Sequence, residues 1–186
     1  GYGLLISFST SAFISKSTMT GGLFGLNVDI TSGVTVADSY MQGATAGYIR
    51  YSTNTLIIRN DFNAGPSGRG LRIDTGNVNI TVSSTIIRGS PTGDRLELNA
   101  GSMGLLKFSS ITIFGAQNYG FNIDAQAPGT PLVVNAMTFH NMAAGASAIY
   151  FMGGTFVSTF NGVNFADTGG SFNVNGSGLA AGARIT

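Results

Sequence analysis

Leu71-Arg72-Ile73-Asp74, Leu96-Glu97-Leu98-Asn99 and Phe121-Asn122-Ile123-Asp124 repeat one short pattern: apolar, any residue, apolar, then Asp, Asn or Ser. Working outward, the same pattern reads Leu4-Leu5-Ile6-Ser7, Leu26-Asn27-Val28-Asp29 and Ile49-Arg50-Tyr51-Ser52 on one side. On the other it reads Ile149-Tyr150-Phe151-Met152 and Phe172-Asn173-Val174-Asn175. Successive starts lie 22 to 28 residues apart, and Gly3, Gly25, Gly70 and Gly120 directly precede four of the segments. Between them runs a second ladder of apolar pairs five residues apart: Ile14/Met19, Val36/Met41, Ile57/Phe62, Val82/Ile87, Phe108/Ile113, Val134/Phe139 and Phe160/Phe165. The two ladders keep pace over seven repeats.

Each repeat therefore holds short strands of period two, separated by corners rich in Gly, Asn and Ser, with no helical periodicity. A unit this short cannot bury its own apolar face, but stacking equivalent residues of successive units buries it as a continuous column. Neighbouring coils lie about 4.8 Å apart, so seven coils make a rod of roughly 34 Å.

The coil length and the two strand patterns resemble the right-handed parallel β-helix of pectate-lyase-like proteins. The resemblance implies an all-β solenoid of about seven coils of 22–28 residues, forming a single domain over 1–186. Autotransporter passengers, filamentous adhesins, phage tailspikes and polysaccharide lyases or hydrolases share that architecture, so it specifies fold and leaves function to grafted sites. An outer-membrane barrel would pair its strands through hairpins, and a jelly-roll or immunoglobulin-like sandwich would not need apolar columns in register at every coil.

Composition narrows the functional classes. Nine Lys and Arg against eight Asp and Glu give a net charge of +1, and charged residues make up 9% of the 186, against about 25% in an ordinary soluble domain. No basic face exists to offset phosphate charge, which argues against nucleic acid as a partner. The chain has no Cys, so disulfides and Cys-based metal sites are excluded. No apolar run approaches the ~20 residues of a spanning helix. An apolar fraction of 43% favours collapse over disorder.

No metal, cofactor or catalytic set stands out. The Asn-Thr-Asp, Asp-Asp, Gly-His-Gly and Arg-Ile-Lys motifs of the polygalacturonase-like branch are absent, and Glu97 is the sole Glu. Asp29, Ser52, Asp74, Asn99, Asp124 and Asn175 are expected to share a corner column, where Asx and Ser side chains bond local backbone. Asp29–Asp74 and Asp74–Asp124 would then lie two coils, about 9.6 Å, apart, near the upper separation of an inverting glycosidase's carboxylates. An outward column is expected to run Asn27, Arg50, Arg72, Glu97, Asn122, Tyr150, Asn173, with Arg72 and Glu97 forming an exposed ion pair. Arg50, Arg72, Glu97 and Tyr150 on it are candidate carbohydrate-binding residues, Arg50 beside Arg72 suiting an acidic sugar. His140 is expected to stack in line with Arg88 and Phe114. Asn79 and Asn175 match the N-glycosylation acceptor pattern.

Neither end carries an evident cap. That suggests a piece of a longer β-helix or head-to-tail contact with further copies, an open filament; Tyr2 and the Gly/Ala-rich tail folding over the ends is the alternative. The expectation is thus a non-enzymatic structural protein at the cell surface or outside the cell, a phage fibre included. It would be a filament subunit or a fibre or adhesin segment, with a polysaccharide-binding or -degrading fragment as the alternative.

Overall fold

The computed structural model describes residues 1–66, 68–88, 93–99, 104–116, 118–124, 131–153, 157–166, 172–176 and 184–185. The first sheet stacks eight strands in chain order: Tyr2–Ser7, Phe24–Asp29, Thr45–Arg50, Leu71–Ile73, Leu96–Leu98, Tyr119–Ile123, Ser147–Phe151 and Phe172–Asn175. All of its pairings are parallel, each strand meeting its counterpart one coil on. The second sheet takes two arms from each coil, such as Val34–Ala37 and Tyr40–Gly43. The arms merge into single long strands at Leu106–Phe114 and Pro131–His140. The coils make about six turns, slightly fewer than seven, and no helix occurs among the described residues. The tail from 177 to 183 lies outside the described residues, whereas Tyr2 belongs to the first strand and stacks on Phe24.

The second ladder holds at every rung. Ile14, Val36, Ile57, Val82, Phe108, Val134 and Phe160 are successive cross-strand partners. So are Met19, Met41, Phe62, Ile87, Ile113, Phe139 and Phe165. A spacing of five would put the two members on opposite faces of a straight strand. A one-residue bend reverses that parity. Two residues after the first member the backbone turns left-handed, at Lys16 (φ 49°), Asp38 (50°), Arg59 (53°), Ser84 (50°), Ser110 (54°), Ala136 (55°) and Gly162 (63°). For a residue with a Cβ this conformation costs about 1–2 kcal/mol. Hydrogen bonds to the next coil offset it: the Lys16 N–H reaches Ala37 O at 3.2 Å, Asp38 reaches Ile58 O at 3.1 Å and Arg59 reaches Ser83 O at 3.0 Å.

Inside the bend, buried Ser39, Asn60 and Thr85 satisfy backbone that the turn leaves open. Asn60 Oδ1 accepts from Ser39 N–H at 2.9 Å, and its Nδ2 donates to Val36 O and Ile58 O. Further along, Ile111 and Met137 occupy the same place, and the strands run through the bend unbroken. A second buried polar ladder, Thr31–Ser52–Asn77, lines the corner after the first sheet, with Ser52 N–H donating to Asn77 Oδ1 at 2.9 Å.

The first sheet departs from the expected register in two coils. Leu26 pairs with Gly47 and Val28 with Ile49, so the third coil sits two residues out of phase. Gly47 takes the apolar slot because the Phe62 ring fills the volume a side chain there would need. Ser52 therefore leaves the corner column for the inner polar ladder, and Arg50 takes its place opposite Asp29. Likewise Ile149 pairs with Val174 and Tyr150 with Asn175, which moves Asn175 from the corner column to the outward one and Asn173 out of the latter.

The glycines before the strands form a column of their own. A Cβ on Gly25 would lie 2.7 Å from both Ala46 O and Gln42 N, and one on Gly120 would lie 2.7 Å from Ala148 O. Ala46 and Ala148 occupy other rungs, and Arg95 one more, wholly buried.

Candidate functional site

The outer face of the first sheet carries the chemistry. Its central column runs Leu5, Asn27, Tyr48, Arg72, Glu97, Asn122, Tyr150, so Tyr48 stands where Arg50 was expected. Two residues before each strand's first inward position lies a further column: Phe24, Thr45, Arg69, Asp94, Tyr119. Its side chains reach diagonally to the central column of the next coil. Phe24 stacks on Tyr48 at 5.2 Å, Arg69 pairs with Glu97, Asn122 Nδ2 donates to Asp94 Oδ2 at 2.9 Å, and Tyr119 stacks on Tyr150 at 4.2 Å.

Arg50 is engaged by Asp29 through both prongs, Nε to Oδ1 at 2.9 Å and Nη2 to Oδ2 at 2.7 Å. Arg72 Nη2 donates to Asp74 Oδ2 at 3.2 Å, and both guanidiniums lie 5.6 Å from the centre of the Tyr48 ring. The Tyr48 hydroxyl donates to Asp74 Oδ2 at 2.8 Å and Asn99 Nδ2 to Asp74 Oδ1 at 3.0 Å. The register puts Arg72 beside Glu97 as expected, yet the pair is not a solvated one. Glu97 is buried at 7% exposure, stands 3.8 Å from Arg72 Nε and makes its closer pair with Arg69. Arg50, Arg72 and Glu97 thus gather on adjoining coils, whereas Tyr150 lies four coil steps, about 19 Å, from Tyr48.

Environment pushes these carboxyls apart. Burial raises Glu97 above the usual glutamate range, with Arg69 and Arg72 only partly opposing it. Burial likewise raises Asp94, against the Asn122 hydrogen bond and the charges of Arg69 and Arg95. Burial would raise Asp74 too, but the Thr75 amide, the Tyr48 hydroxyl and Asn99 together outweigh it and hold Asp74 below the usual range. Beside this network, Phe24, Asn27, Thr45, Tyr48, Arg50 and Arg72 line a cleft of about 340 Å³.

Two other expected features fall outside the face. His140 pairs in register with Phe114 and stacks on it at 5.0 Å, with Arg88 5.7 Å from the same ring. Asn79 is exposed in a left-handed conformation and donates through Nδ2 to Asn54 Oδ1 at 2.8 Å. The diagonal column was the signal missed: Tyr2, Phe24, Thr45, Arg69, Asp94 and Tyr119 recur with the coil in the sequence itself.

Parallel coils stacked in register, with left-handed bends repeated in one column, define a parallel β-solenoid. Residues 1–136 match the family described as "Right handed beta helix region", and the chain belongs to that family. No curated protein and no solved structure matches it. The family includes enzymes and non-enzymes, and membership supports a structural or polysaccharide-interacting role.

Proposed function

We propose that the protein is a stiff, non-catalytic structural segment of surface-fibre or adhesin type, extended along its axis by coil-on-coil stacking. One observation carries this reading: the outer charges are used to stitch one coil to another. Asp29–Arg50, Asp38–Arg59, Asp61–Arg88 and Arg69–Glu97 each join residues at least 21 positions apart on adjoining coils. With a net charge of +1, copies approach one another without long-range repulsion. Electron microscopy of concentrated protein is expected to show rods one solenoid wide that lengthen with concentration. Separate particles of one solenoid's length at every concentration would contradict axial self-stacking.

A second reading, a polysaccharide-interacting face, is favoured by the cleft between Phe24, Tyr48 and the two arginines.

A further inference from the structure

We propose that the cleft spanning the second to fourth coils holds a neutral, hydroxyl-bearing sugar unit of a glycan rather than an acidic one. This rests on the polysaccharide-interacting reading and names the class of ligand within it.

Three observations converge. First, a residue of the cleft's lining carries an unanswered polar group. Asn27 is only 4% exposed, and its Oδ1 has no hydrogen-bond partner within the protein. A buried acceptor left alone carries a desolvation cost, which a donor brought against the Asn27 amide offsets. A sugar hydroxyl both donates and accepts, so it serves Asn27 whichever way the amide is turned. Second, the charges bordering the cleft cancel. Arg50 is held by Asp29 and Arg72 by Asp74, two cations against two anions. A carboxylate or sulfate entering here would have to displace one of those partners, whereas a hydroxyl can add to the carboxylate oxygens and guanidinium edges as they stand. Third, one wall is aromatic. Tyr2, Phe24 and Tyr48 form a continuous stack with centroid spacings of 5.5 and 5.2 Å, which offers apolar contact to the C–H groups of a sugar ring. An aromatic wall, paired charges and a donor-seeking amide match the alternating apolar and hydroxyl edges of an uncharged pyranose.

Titration calorimetry with cello-, manno- and chito-oligosaccharides and with an oligogalacturonate tests the assignment. At least one neutral oligosaccharide is expected to bind, with affinity unchanged within about twofold between about 0.05 M and about 0.5 M NaCl, because no net charge is exchanged. Thr45→Tyr, which fills the cleft from a half-buried position, is expected to weaken that binding by at least about tenfold, or about 1.4 kcal/mol. Thr45→Gln replaces it if the larger side chain unfolds the coil, as judged by circular dichroism. Preferential, salt-sensitive binding of the oligogalacturonate would overturn the neutral class and leave the polysaccharide reading standing. Failure of every sugar to bind would overturn both. Neutral binding untouched by filling the cleft would move the site elsewhere and overturn the proposal.

Discussion

Arg95→Met is expected to lower the stability of the protein by about 3–5 kcal/mol, read as a fall in the urea or thermal midpoint. Arg95 is wholly buried at a rung otherwise held by Gly and Ala, so its side chain runs between coils rather than into solvent. Nε donates to Phe114 O at 2.8 Å, Nη1 to Gly93 O at 3.1 Å and Nη2 to Gly115 O. Phe114 ends the long strand, and Gly115 just after it turns left-handed with φ 67°, so the guanidinium gathers the carbonyls of a turning chain. Burial lowers the pKa of Arg95 to about 10, opposed by Asp94, which leaves it charged at neutral pH. Hydrogen bonds from a charged donor contribute about 1.5–3 kcal/mol each, and a buried acceptor stripped of its donor adds its desolvation penalty. Met keeps most of the stem's volume and removes every donor. Arg95→Lys retains the charge without the planar fork that spans three carbonyls, and is expected to fall between the two. A loss below about 1 kcal/mol for Arg95→Met would show that the carbonyls are satisfied by other means.

Gly25→Val is expected to disrupt the first three coils, at a cost above about 3 kcal/mol, the upper range of core overpacking. The atoms a Cβ would meet are Ala46 O and Gln42 N at 2.7 Å and Gln42 O at 2.9 Å. All three are backbone, so no side chain can swing aside, and the strand must separate from its neighbour. Gly22→Ala is the matched control, because the nearest atom to its added Cβ is 3.7 Å away; it is expected to change stability by no more than about 0.5 kcal/mol. Hydrogen exchange should show lost protection confined to the first three coils for Gly25→Val. Equal effects for the two variants would mean that close approach of the coils is not what selects glycine.

The second sheet was legible in the sequence because every rung of its two ladders carries a large apolar side chain. The odd spacing of five also encodes the left-handed bend. The first sheet was legible only where both inward slots are apolar. In the third coil Gly47 fills one of them, a residue no hydrophobic pattern detects, so the pattern places Ile49 in the first slot although it fills the second. That shift of two separated Arg50 from Asp29 and hid the ion pair that neutralises it. Glu97 beside Arg72 was readable from register, but its burial was not. Arg69 covers it by a diagonal contact between two columns, and a column read by itself contains no information about its neighbour. Arg95 was hidden for a related reason. One charge in a row of small residues looks like a solvated exception until the carbonyls of the following coil are placed around it.

The central claim is that equivalent residues climb a single axis by one strand spacing per coil. Phe13, Thr35, Leu56, Thr81, Lys107, Val133 and Thr159 are successive outward partners on the second sheet, and a chain without native Cys accepts spin labels only where cysteines are introduced. Pulsed electron paramagnetic resonance on pairs from Phe13 to Lys107, Val133 and Thr159 should give mean distances near about 19, 24 and 29 Å, rising by about 4.8 Å per coil. Distances that fail to rise in sequence order, as folded-back antiparallel strands would give, would contradict the solenoid.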